Sequence, residues 1–513
     1  VANGLAKKVR EGEATYQRKP IPAEVQELYG TLLRHAQAEI LRKLAEQTQA
    51  TYDLLQRFHR ELWALKQAGG QMRFDEVTRA LVEALGLKVL RADGLAFRLD
   101  GSVEHLLLDE FQDTAHAQWQ VLEPIAQAIT GAPPTQGRSF FCVGDVKQAI
   151  YGWRGGMAAI FNKLESSLGP LKHMPLDESR RSAPVVIEAV NQVFGHLSKF
   201  DAGENAQAGI DAWKERFTRH TTHRQGLPGY VRLMAGLEKP KEVDTTEYGK
   251  HFFKYVAGEI KAIHEGAPGR SIGVLCRKKK TVGRLIYELR QLGVDVSEEA
   301  GSPLDDSPAV EAILSLFTLA DHPGHSIAWF HLKNTPFNPD VQQFDHPDRV
   351  ARHVRSELSR IGCGELVHDW AKALAPACDR RDLSRLQQLV EMAYDFQGRS
   401  TLRADDFVQW VRAQRVPDPS PAPVRVMTIH GAKGLEFDAV VLPELDDTLL
   451  GQTPAFVAGR DEDSLAVNVV CRYANEAVQT MLDPAVQRAF AQHRKHEVEE
   501  SLSLLYVAMT RAV

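Results

Sequence analysis

The chain has 513 residues, which is too many for one hydrophobic core and predicts roughly three or four domains. Charged residues make up 25% of the sequence and apolar residues 43%, as is ordinary for a soluble globular protein. The formal net charge of -5 excludes a generally basic surface, so any contact with nucleic acid must come from a local groove.

The cysteines are scattered, with no CxxC pair and no metal-ligand spacing: Cys142, Cys276, Cys363, Cys378 and Cys471. This pattern predicts free, mostly buried thiols in a reducing cytoplasm. No signal peptide opens the sequence and no apolar stretch is long enough to span a bilayer, so we expect no membrane partner. The missing start methionine and the stop just after Arg511 suggest a piece of a larger protein.

Helical spacing dominates the first part of the chain. Apolar side chains recur at this spacing over residues 22–68 and predict long amphipathic helices that end near Gly69 and Gly70. Residues 74–85 predict another helix, with Asp75 as its N-cap.

A short apolar run follows at residues 104–108 and predicts a strand buried on both faces of a parallel sheet. Asp109 and Glu110 come directly after it, at the edge where open α/β sheets bind ligands. Nucleotide hydrolysis needs one carboxylate to hold Mg²⁺ and another to polarise the attacking water, and these two residues fit those roles in that order. The alternative interpretation is a strand that simply ends in two solvated acids. Residues 112–114 make the motif more specific than a lone Asp-Glu pair would be.

The remaining elements predict an α/β protein with a helical insertion. Residues 303–415 are mostly helical in periodicity and predict an inserted helical subdomain, followed by a stiff proline-rich connector at 418–423. The other predicted elements are helices at 117–129, from Pro184 onward, after 276 to 292 and at 497–510, and strands at 139–143, 230–234, 271–276, 294–296, 424–428 and 439–442. The strand, helix and strand over 271–296 form a predicted βαβ unit.

Four segments match, in order and in type, the motifs of the UvrD/Rep helicases of superfamily one. They are residues 108–114 (LDEFQDT), 143–155 (VGDVKQAIYGWRG), 428–437 (TIHGAKGLEF) and 505–512 (LYVAMTRA), with a looser fifth match at 176–182. Because these segments extend across nearly the whole chain, the sequence strongly resembles that family. The run at 99–101 and the helical insertion look most like AddA or the exonuclease V beta subunit, which is RecB-like.

The resemblance implies roles for the polar residues at a nucleotide. Asp109 would hold Mg²⁺, Glu110 would orient the hydrolytic water, and Gln148 would touch the γ-phosphate of ATP. Outside this motif, a glutamine such as Gln148 would be interpreted as capping the backbone at a strand end.

The resemblance also implies that Arg181 and Arg511 are arginine fingers and that Glu436 accepts a hydrogen bond from the ribose hydroxyl. A surface ion pair is the alternative for each arginine. Arg180 stands where many relatives carry an aromatic residue that stacks on adenine, and Ser179 stands where an asparagine is usual. A guanidinium can also stack on a base, so adenine binding by Arg180 is not excluded.

Single-stranded DNA is the substrate that the resemblance implies. Tyr151 and Trp153 would stack on bases, Arg154 would pair with phosphate, and Thr428 and His430 would face the DNA backbone. The alternative for the two aromatic residues is a corner of the core, but the neighbouring glycines favour partial exposure.

Two basic features have weaker assignments. Lys433 could contact a phosphate or be a solvated loop charge, and both interpretations stay open. The run at 277–280 (RKKK) predicts a solvated helix start in preference to a contact with the DNA backbone.

The sequence contains no GxxxxGK[ST] phosphate loop, which in this family precedes the acidic motif and cradles the β- and γ-phosphates. It also shows no downstream nuclease set of carboxylates and lysine. We therefore expect the parent protein to be an ATP-driven DNA motor and this chain alone to be a poor ATPase or none.

The expected fold is two RecA-like P-loop NTPase lobes, the first incomplete, with helical insert subdomains. The predicted divisions are a partial helical insert at 1–70, the first lobe at 71–175, the second lobe at 176–302 and 421–513, and a helical insert at 303–420. The acids of one lobe and the arginines of the other would meet at a shared triphosphate.

The resemblance implies 3′-to-5′ movement on single-stranded DNA, a role in double-strand break repair or recombination, and possible association with a nuclease partner. The alternative is a DNA-binding scaffold subunit of a helicase–nuclease complex that does not hydrolyse ATP. A nuclease ranks third, because no catalytic metal set is visible in the sequence.

Overall fold

The structure is a computed structural model that describes residues 4–87, 94, 97, 101, 103–133, 137–200, 202–236, 245–298, 304–337, 346–398, 403–416, 422–451, 453–461 and 465–513. Most of the run at 99–101 and of the proline-rich connector at 418–423 lies outside these residues, so the predictions for them stay predictions.

The described α-helices alternate with short strands along much of the chain. In chain order they are α1 (Leu5–Arg10), α2 (Ala23–Ala68), α3 (Phe74–Gly86), α4 (His116–Thr130), α5 (Leu164–Leu168), α6 (Pro184–Gly195), α7 (Glu204–Glu215), α8 (Thr245–Gly266), α9 (Lys279–Gln291), α10 (Pro308–Asp321), α11 (Ser326–Lys333), α12 (Pro347–Leu374), α13 (Arg380–Gln397), α14 (Ala404–Ala413), α15 (Glu476–Gln479) and α16 (Pro484–Met509).

The described strands are two to six residues long. They are β1 (Thr15–Tyr16), β2 (Lys19–Pro20), β3 (His105–Leu108), β4 (Ser139–Cys142), β5 (Glu178–Ser179), β6 (Thr221–Thr222), β7 (Ile272–Cys276), β8 (Val296–Glu298), β9 (Val424–Thr428), β10 (Ala439–Val441), β11 (Phe456–Arg460) and β12 (Val467–Arg472). The mixed α/β class that the sequence predicts is therefore confirmed.

The chain forms two compact units. The first comprises Val1–Arg180, Ile187–His223 and Asp447–Val507, and the second comprises Arg181–Val186, Arg224–Asp446 and Ala508–Val513. The five divisions predicted from the sequence stay a prediction.

In the first unit, β3 and β4 form the predicted parallel pair, in register from His105 opposite Ser139 to Leu108 opposite Cys142. The prediction that this strand is buried on both faces is wrong, because Leu107 is 68% exposed. Side chains alternate across a strand, and only the face that carries Leu106 and Leu108 packs on the cluster around Phe111.

The helical structure predicted before this sheet is confirmed. Residues 23–68 form one helix, α2, where the sequence predicts more than one, and it ends before Gly69 as predicted. Leu44 packs against the β11–β12 hairpin. The assignment of Asp75 as N-cap is wrong: α3 starts at Phe74, and the Glu76 carboxylate accepts the backbone N–H of Arg73 at 2.8 Å.

In the second unit, four parallel strands form a sheet in the order β10-β7-β9-β8. All residues of β7 are buried, as the apolar run predicts for a central parallel strand. The predicted βαβ unit is confirmed, since β7, α9 and β8 follow one another and both strands lie parallel to β9.

The helices α10–α14 lie between β8 and β9 in the sequence and form a hydrophobic core of their own. Phe317 is fully buried there, with its ring centroid 4.9 Å from that of Phe407. The predicted helical character of residues 303–415 is confirmed for the residues that the structure describes.

Two further predictions are corrected. Residues 230–234 form no strand, and Tyr230 and Leu233 are 69% and 84% exposed. A β-favouring sequence forms a strand only where its backbone finds a partner. The last helix begins at Pro484, earlier than the predicted start at residue 497. Its first turns are polar and therefore lack the apolar spacing by which the sequence indicates a helix.

All five cysteines are free, as predicted. Burial raises the pKa of the Cys276 and Cys363 thiols to about 12. Within the described part of the chain, no helix combines the length and the hydropathy that crossing a bilayer requires.

Candidate functional site

The predicted catalytic acids lie at the C-terminal end of β3, where both are exposed. The Asp109 carboxylate accepts the backbone N–H of Glu110 at 2.8 Å. Glu110 has a left-handed backbone, with φ 51° and ψ 39°, which is uncommon for a residue with a side chain. An exposed carboxylate at the end of a strand fits Mg²⁺, which keeps several waters and takes one or two protein carboxylates.

Gln112 joins these acids to the next strand. Its side chain is buried; its Nε2 donates to Glu110 Oε2 at 2.5 Å, and its Oε1 accepts the backbone N–H of Asp145 at 3.0 Å. A Cβ at Gly144 would lie too close to Gln112 Oε1, so any larger residue there would displace this amide. Gln112 therefore fixes the position of Glu110 relative to the segment after β4.

Asp145 holds the predicted phosphate-sensing glutamine. Gln148 Nε2 donates to Asp145 Oδ2 at 3.1 Å, which fixes one end of this amide. The other carboxylate oxygen, Oδ1, accepts the Lys147 backbone N–H at 3.0 Å and lies 2.8 Å from Lys147 Nζ.

The predicted DNA-stacking residues form a compact aromatic loop, defined here as residues 151–154. Trp153 is 63% exposed, which agrees with the partial exposure that the sequence predicts. The rings of Tyr151 and Trp153 lie 6.4 Å apart, and the Arg154 guanidinium lies 4.6 Å from the Trp153 ring centroid. Arg154 therefore stacks on the aromatic side chains in this structure.

Backbone contacts join the acidic segment to the aromatic loop. Ala115 and Gly156 form an antiparallel bridge, and the Met157 N–H donates to the Thr114 carbonyl at 3.0 Å. A Cβ at Gly156 would lie 3.0 Å from the Tyr151 carbonyl oxygen. The acids and the aromatic side chains consequently belong to one connected piece of the first unit.

An aromatic cluster from α6, α7 and α16 borders the same segment. Tyr506 is 4% exposed, and its hydroxyl is hydrogen-bonded to His220 Nε2 at 2.7 Å. Lys147 Nζ lies 5.9 Å from the Tyr506 ring centroid. Burial, together with the positive charge of Lys147, lowers the pKa of His220, which favours a neutral imidazole.

In the second unit, Thr428 ends β9 and begins a short 3₁₀-helix, Ile429–Ala432. The Thr428 hydroxyl accepts the Gly431 N–H at 3.3 Å, and His430 lies within that helix. The two residues predicted to face DNA are therefore placed by one turn at the C-terminal edge of the sheet.

Arg181 and Glu436 are brought together in the second unit. Arg181 Nε donates to Glu436 Oε2 at 3.0 Å, and Arg181 Nη1 donates to the Thr510 carbonyl at 3.0 Å. The structure thus links the predicted phosphate-binding arginine to the predicted ribose-binding carboxylate through a partly exposed ion pair, which is also the interaction that the alternative interpretation of Arg181 expects.

Arg511 is only 3% exposed and is therefore no surface ion pair. Its carbonyl accepts the Phe437 N–H at 3.0 Å, and Ala512 and Phe437 form a parallel bridge. A Cβ on Gly273 would lie 2.5 Å from the Phe437 ring, so this ring packs directly against the glycine. These contacts attach the motif at residues 505–512 to the motif at residues 428–437.

Two family models match parts of the chain. The family described as UvrD/REP helicase N-terminal domain matches residues 5–169, and the family described as UvrD-like helicase C-terminal domain matches residues 349–513. The chain belongs to the UvrD-like helicases.

Curated relatives of this helicase chain carry helicase–nuclease names. An ATP-dependent helicase/nuclease subunit of Leuconostoc mesenteroides is 22% identical over 498 residues, which cover 83% of this chain and 39% of that protein. The RecBCD enzyme subunit RecB of Haemophilus influenzae is 25% identical over 544 residues, covering 97% of this chain and 42% of that protein. The chain therefore spans about two fifths of the length of these relatives.

The remaining predicted site residues of the helicase chain are also placed. Arg180 is exposed, directly after β5. Lys278, Lys279 and Lys280 are exposed at the start of α9, which confirms the predicted solvated helix start. The Glu444 carboxylate accepts the Arg277 N–H at 3.1 Å there.

Sequence reasoning assigned no role to several side chains that the helicase structure places beside the predicted site: Gln112, Asp145, Lys147, His220 and Tyr506. Four of them, all except His220, lie inside recognised motifs, so the motifs themselves were the available signal. The contacts of His220 and Tyr506 link residues 286 positions apart, and no local pattern could have indicated them.

A group of possible metal ligands lies elsewhere, on α12. Glu365, His368 and Asp369 have ligand atoms within 4.8 Å of one another, and the Tyr394 hydroxyl donates to Glu365 at 2.8 Å. Exposed acids at this helical spacing are common without a metal, and nothing else points to a metal there.

Proposed function

We propose that the protein is an ATP-dependent DNA helicase or translocase of the UvrD/Rep type, resembling AddA and RecB. The observation that carries this proposal is the connection between the acidic segment and the aromatic loop, through the Ala115–Gly156 bridge and the Met157–Thr114 hydrogen bond. A motor needs such a connection, because a change at a nucleotide must be transmitted to the bound strand.

At the nucleotide, Asp109 would hold Mg²⁺ and Glu110 would orient the attacking water. Gln148 would contact the γ-phosphate, and its bond to Asp145 at 3.1 Å supports this role by presenting the amide in a defined position. Mg²⁺ supplies charge neutralisation for the phosphates when it is bound.

A nucleotide site also needs cations and a ribose contact. Arg181 and Arg511 would neutralise charge on the phosphoryl oxygens, and Glu436 would accept the ribose hydroxyl. Arg180 would stack on adenine. The ion pair between Arg181 and Glu436 supports a shared nucleotide site for these two residues.

On the DNA side, Tyr151 and Trp153 would stack on successive bases and Arg154 would contact phosphate. Thr428 and His430 would contact the backbone of the strand. The relatives' names support a place within a helicase–nuclease assembly, and the family resemblance supports a role in DNA repair or recombination, 3′-to-5′ movement and a cytoplasmic location. Two RecA-like lobes are the fold that we propose for this motor.

The first experiment replaces Glu110 by glutamine in the full-length protein. Glu110→Gln keeps an acceptor for Gln112 but removes the charge that polarises water, so we expect DNA-stimulated ATP turnover to fall by about 10²–10³-fold. ATP affinity should stay within a factor of about three.

Glu104→Gln is the matched control, because Glu104 is an exposed carboxylate just before β3. It should leave turnover unchanged. Turnover that survives in Glu110→Gln would contradict the assignment, and a full-length protein that binds single-stranded DNA without hydrolysing ATP would instead be a scaffold subunit.

The second experiment replaces Trp153 by alanine. Base stacking contributes about 1–3 kcal/mol for each base, so single-strand affinity should fall by roughly 5- to 150-fold while ATP affinity stays unchanged. Fluorescence anisotropy with a labelled oligonucleotide measures the first quantity. Equal loss of both affinities would contradict the division of labour between the loop and the acids.

A further inference from the structure

We propose that Lys147 is a positioning residue for ATP hydrolysis, acting through Asp145. This inference deepens the proposed function and rests on it, since it assigns a task to a residue that no motif role covers. Lys147 Nζ lies 2.8 Å from Asp145 Oδ1, and the two side chains are 15% and 24% exposed.

Asp145 is the residue on which two predicted catalytic groups depend. Its carboxylate accepts the Gln148 amide at 3.1 Å, and its backbone N–H donates to Gln112 Oε1 at 3.0 Å. Gln112 in turn donates to Glu110 at 2.5 Å. A shift of Asp145 would therefore move both the phosphate-sensing amide and the support of the water-orienting acid.

Lys147 opposes such a shift in two ways. Its ammonium holds the Asp145 carboxylate by a direct ion pair. It also neutralises that carboxylate, which would otherwise repel Glu110 and the phosphates of ATP. At this low exposure the attraction is screened less by solvent than a surface ion pair would be.

Lys147 is itself held by the aromatic cluster of the first unit. Its Nζ lies 5.9 Å from the Tyr506 ring centroid, and the Tyr506 hydroxyl is fixed by its 2.7 Å hydrogen bond to His220. The His220 backbone N–H is bound at 2.9 Å by the side chain of Asn191. Buried contacts on α6 and α16 thus determine where the ammonium of Lys147 lies.

A different chemistry would follow if Lys147 bound the γ-phosphate directly, as its neighbour Gln148 is proposed to do. Loss of a phosphate ligand weakens ATP binding and raises KM. Loss of a positioning residue lowers kcat while KM stays nearly constant. The two roles therefore predict opposite kinetic results.

The test measures DNA-stimulated ATP hydrolysis by the full-length protein and by its Lys147→Met and Lys147→Arg variants. Lys147→Met keeps the length of the side chain and removes its charge, and we expect kcat to fall by about tenfold or more with KM changed less than about threefold. Lys147→Arg restores the charge and should recover most of the lost kcat.

Lys199→Met is the matched control, because Lys199 is an exposed lysine of the same unit. It should leave kcat and KM unchanged. The thermal midpoint of each variant is measured in parallel. If Lys147→Arg does not rescue kcat and the midpoint is also lowered, the role of Lys147 is merely structural.

Two results overturn the inference: unchanged kcat in Lys147→Met, with or without a raised KM, or a loss of kcat that Lys147→Arg fails to rescue. Failure of the proposed function is recognised separately, because the wild-type full-length protein would then hydrolyse no ATP in the presence of DNA.

Discussion

Gly144 shows how one missing side chain determines the geometry beside a catalytic candidate. The ideal Cβ of an alanine at this position would lie too close to Gln112 Oε1 and only 3.2 Å from the Phe111 backbone nitrogen. The amide that supports Glu110 and the backbone of the following turn therefore occupy the space that any other residue would need.

We predict that Gly144→Ala in the full-length protein displaces the Gln112 amide and lowers DNA-stimulated kcat by about tenfold or more, because a small misplacement of a reacting group is costly. Gly283→Ala is the control: Gly283 lies within α9 with open space at its Cβ, so alanine there should leave kcat unchanged and stabilise the helix by about 0.5–1 kcal/mol. Steady-state kinetics and urea unfolding measure the two effects. Normal kcat in Gly144→Ala would contradict the role of Gln112.

The buried thiols allow a prediction about reactivity. The pKa values of Cys276 and Cys363 are raised to about 12 by burial, so at pH 8 almost none of either thiol is the reactive thiolate. We expect mass spectrometry to find both residues unlabelled by iodoacetamide in the native protein and fully labelled after denaturation. Rapid native labelling of either cysteine would show that its surroundings open readily.

At the scale of elements, helix α16 carries a half-buried acid, Glu500, beside the aromatic loop. A Cβ on Gly152 would lie 3.3 Å from Glu500 Oε2. Burial, and then the negative charge of Glu497, raise the pKa of the Glu500 carboxyl to about 7 from an ordinary 4.5, while His496 opposes the shift.

This shift has a definite sign. Between pH 4.5 and about 7 the folded protein holds a proton on Glu500 that the unfolded chain has lost, so the free energy of unfolding falls as the pH rises through that window. We predict that Glu500→Gln removes this contribution, making the variant increasingly more stable than wild type up to about pH 7 and by a constant amount above it. Urea unfolding at a series of pH values measures the difference. A constant difference over the whole series would mean that Glu500 titrates normally.

The helices α10–α14 depend on their own core. Phe317 is fully buried between Phe407 and Trp370, so Phe317→Ala should lower the free energy of unfolding by about 3–5 kcal/mol. Phe330→Ala, on the 70% exposed Phe330 of α11, is the matched control and should change it by less than about 0.5 kcal/mol. Urea unfolding followed by circular dichroism measures both, and similar losses in the two variants would contradict the observed core.

At the scale of the whole molecule, the net charge of -5 implies that DNA affinity depends on a few local cations. Each phosphate contact to a single strand contributes about -0.7 to the slope of log K against log salt concentration. We predict that Arg154→Gln makes this slope less steep by about 0.7, whereas Trp153→Ala lowers affinity with little change in slope, because stacking releases no counterions. Anisotropy titrations at several salt concentrations measure the slopes, and identical slopes for wild type and Arg154→Gln would remove Arg154 from the phosphate contacts.

Sequence alone determined those features that depend on local pattern. The buried run of β7, the helical periodicity of α2 and of α10–α14, and the motifs around Asp109 and Trp153 are all set by residues close together in the chain. Backbone geometry repeats every two residues in a strand and about every 3.6 in a helix, so such patterns can be recognised without the fold.

Only the tertiary structure decided which side chains meet and which apolar faces are covered. Leu107 is exposed although its strand is apolar, and residues 230–234 have the composition of a strand without forming one. Lys147 lies beside Tyr506, and Gln112 joins Glu110 to Asp145, through contacts between segments far apart in sequence. Burial and side-chain contact depend on the distant segment that folds against a residue, and local spacing contains no information about that partner.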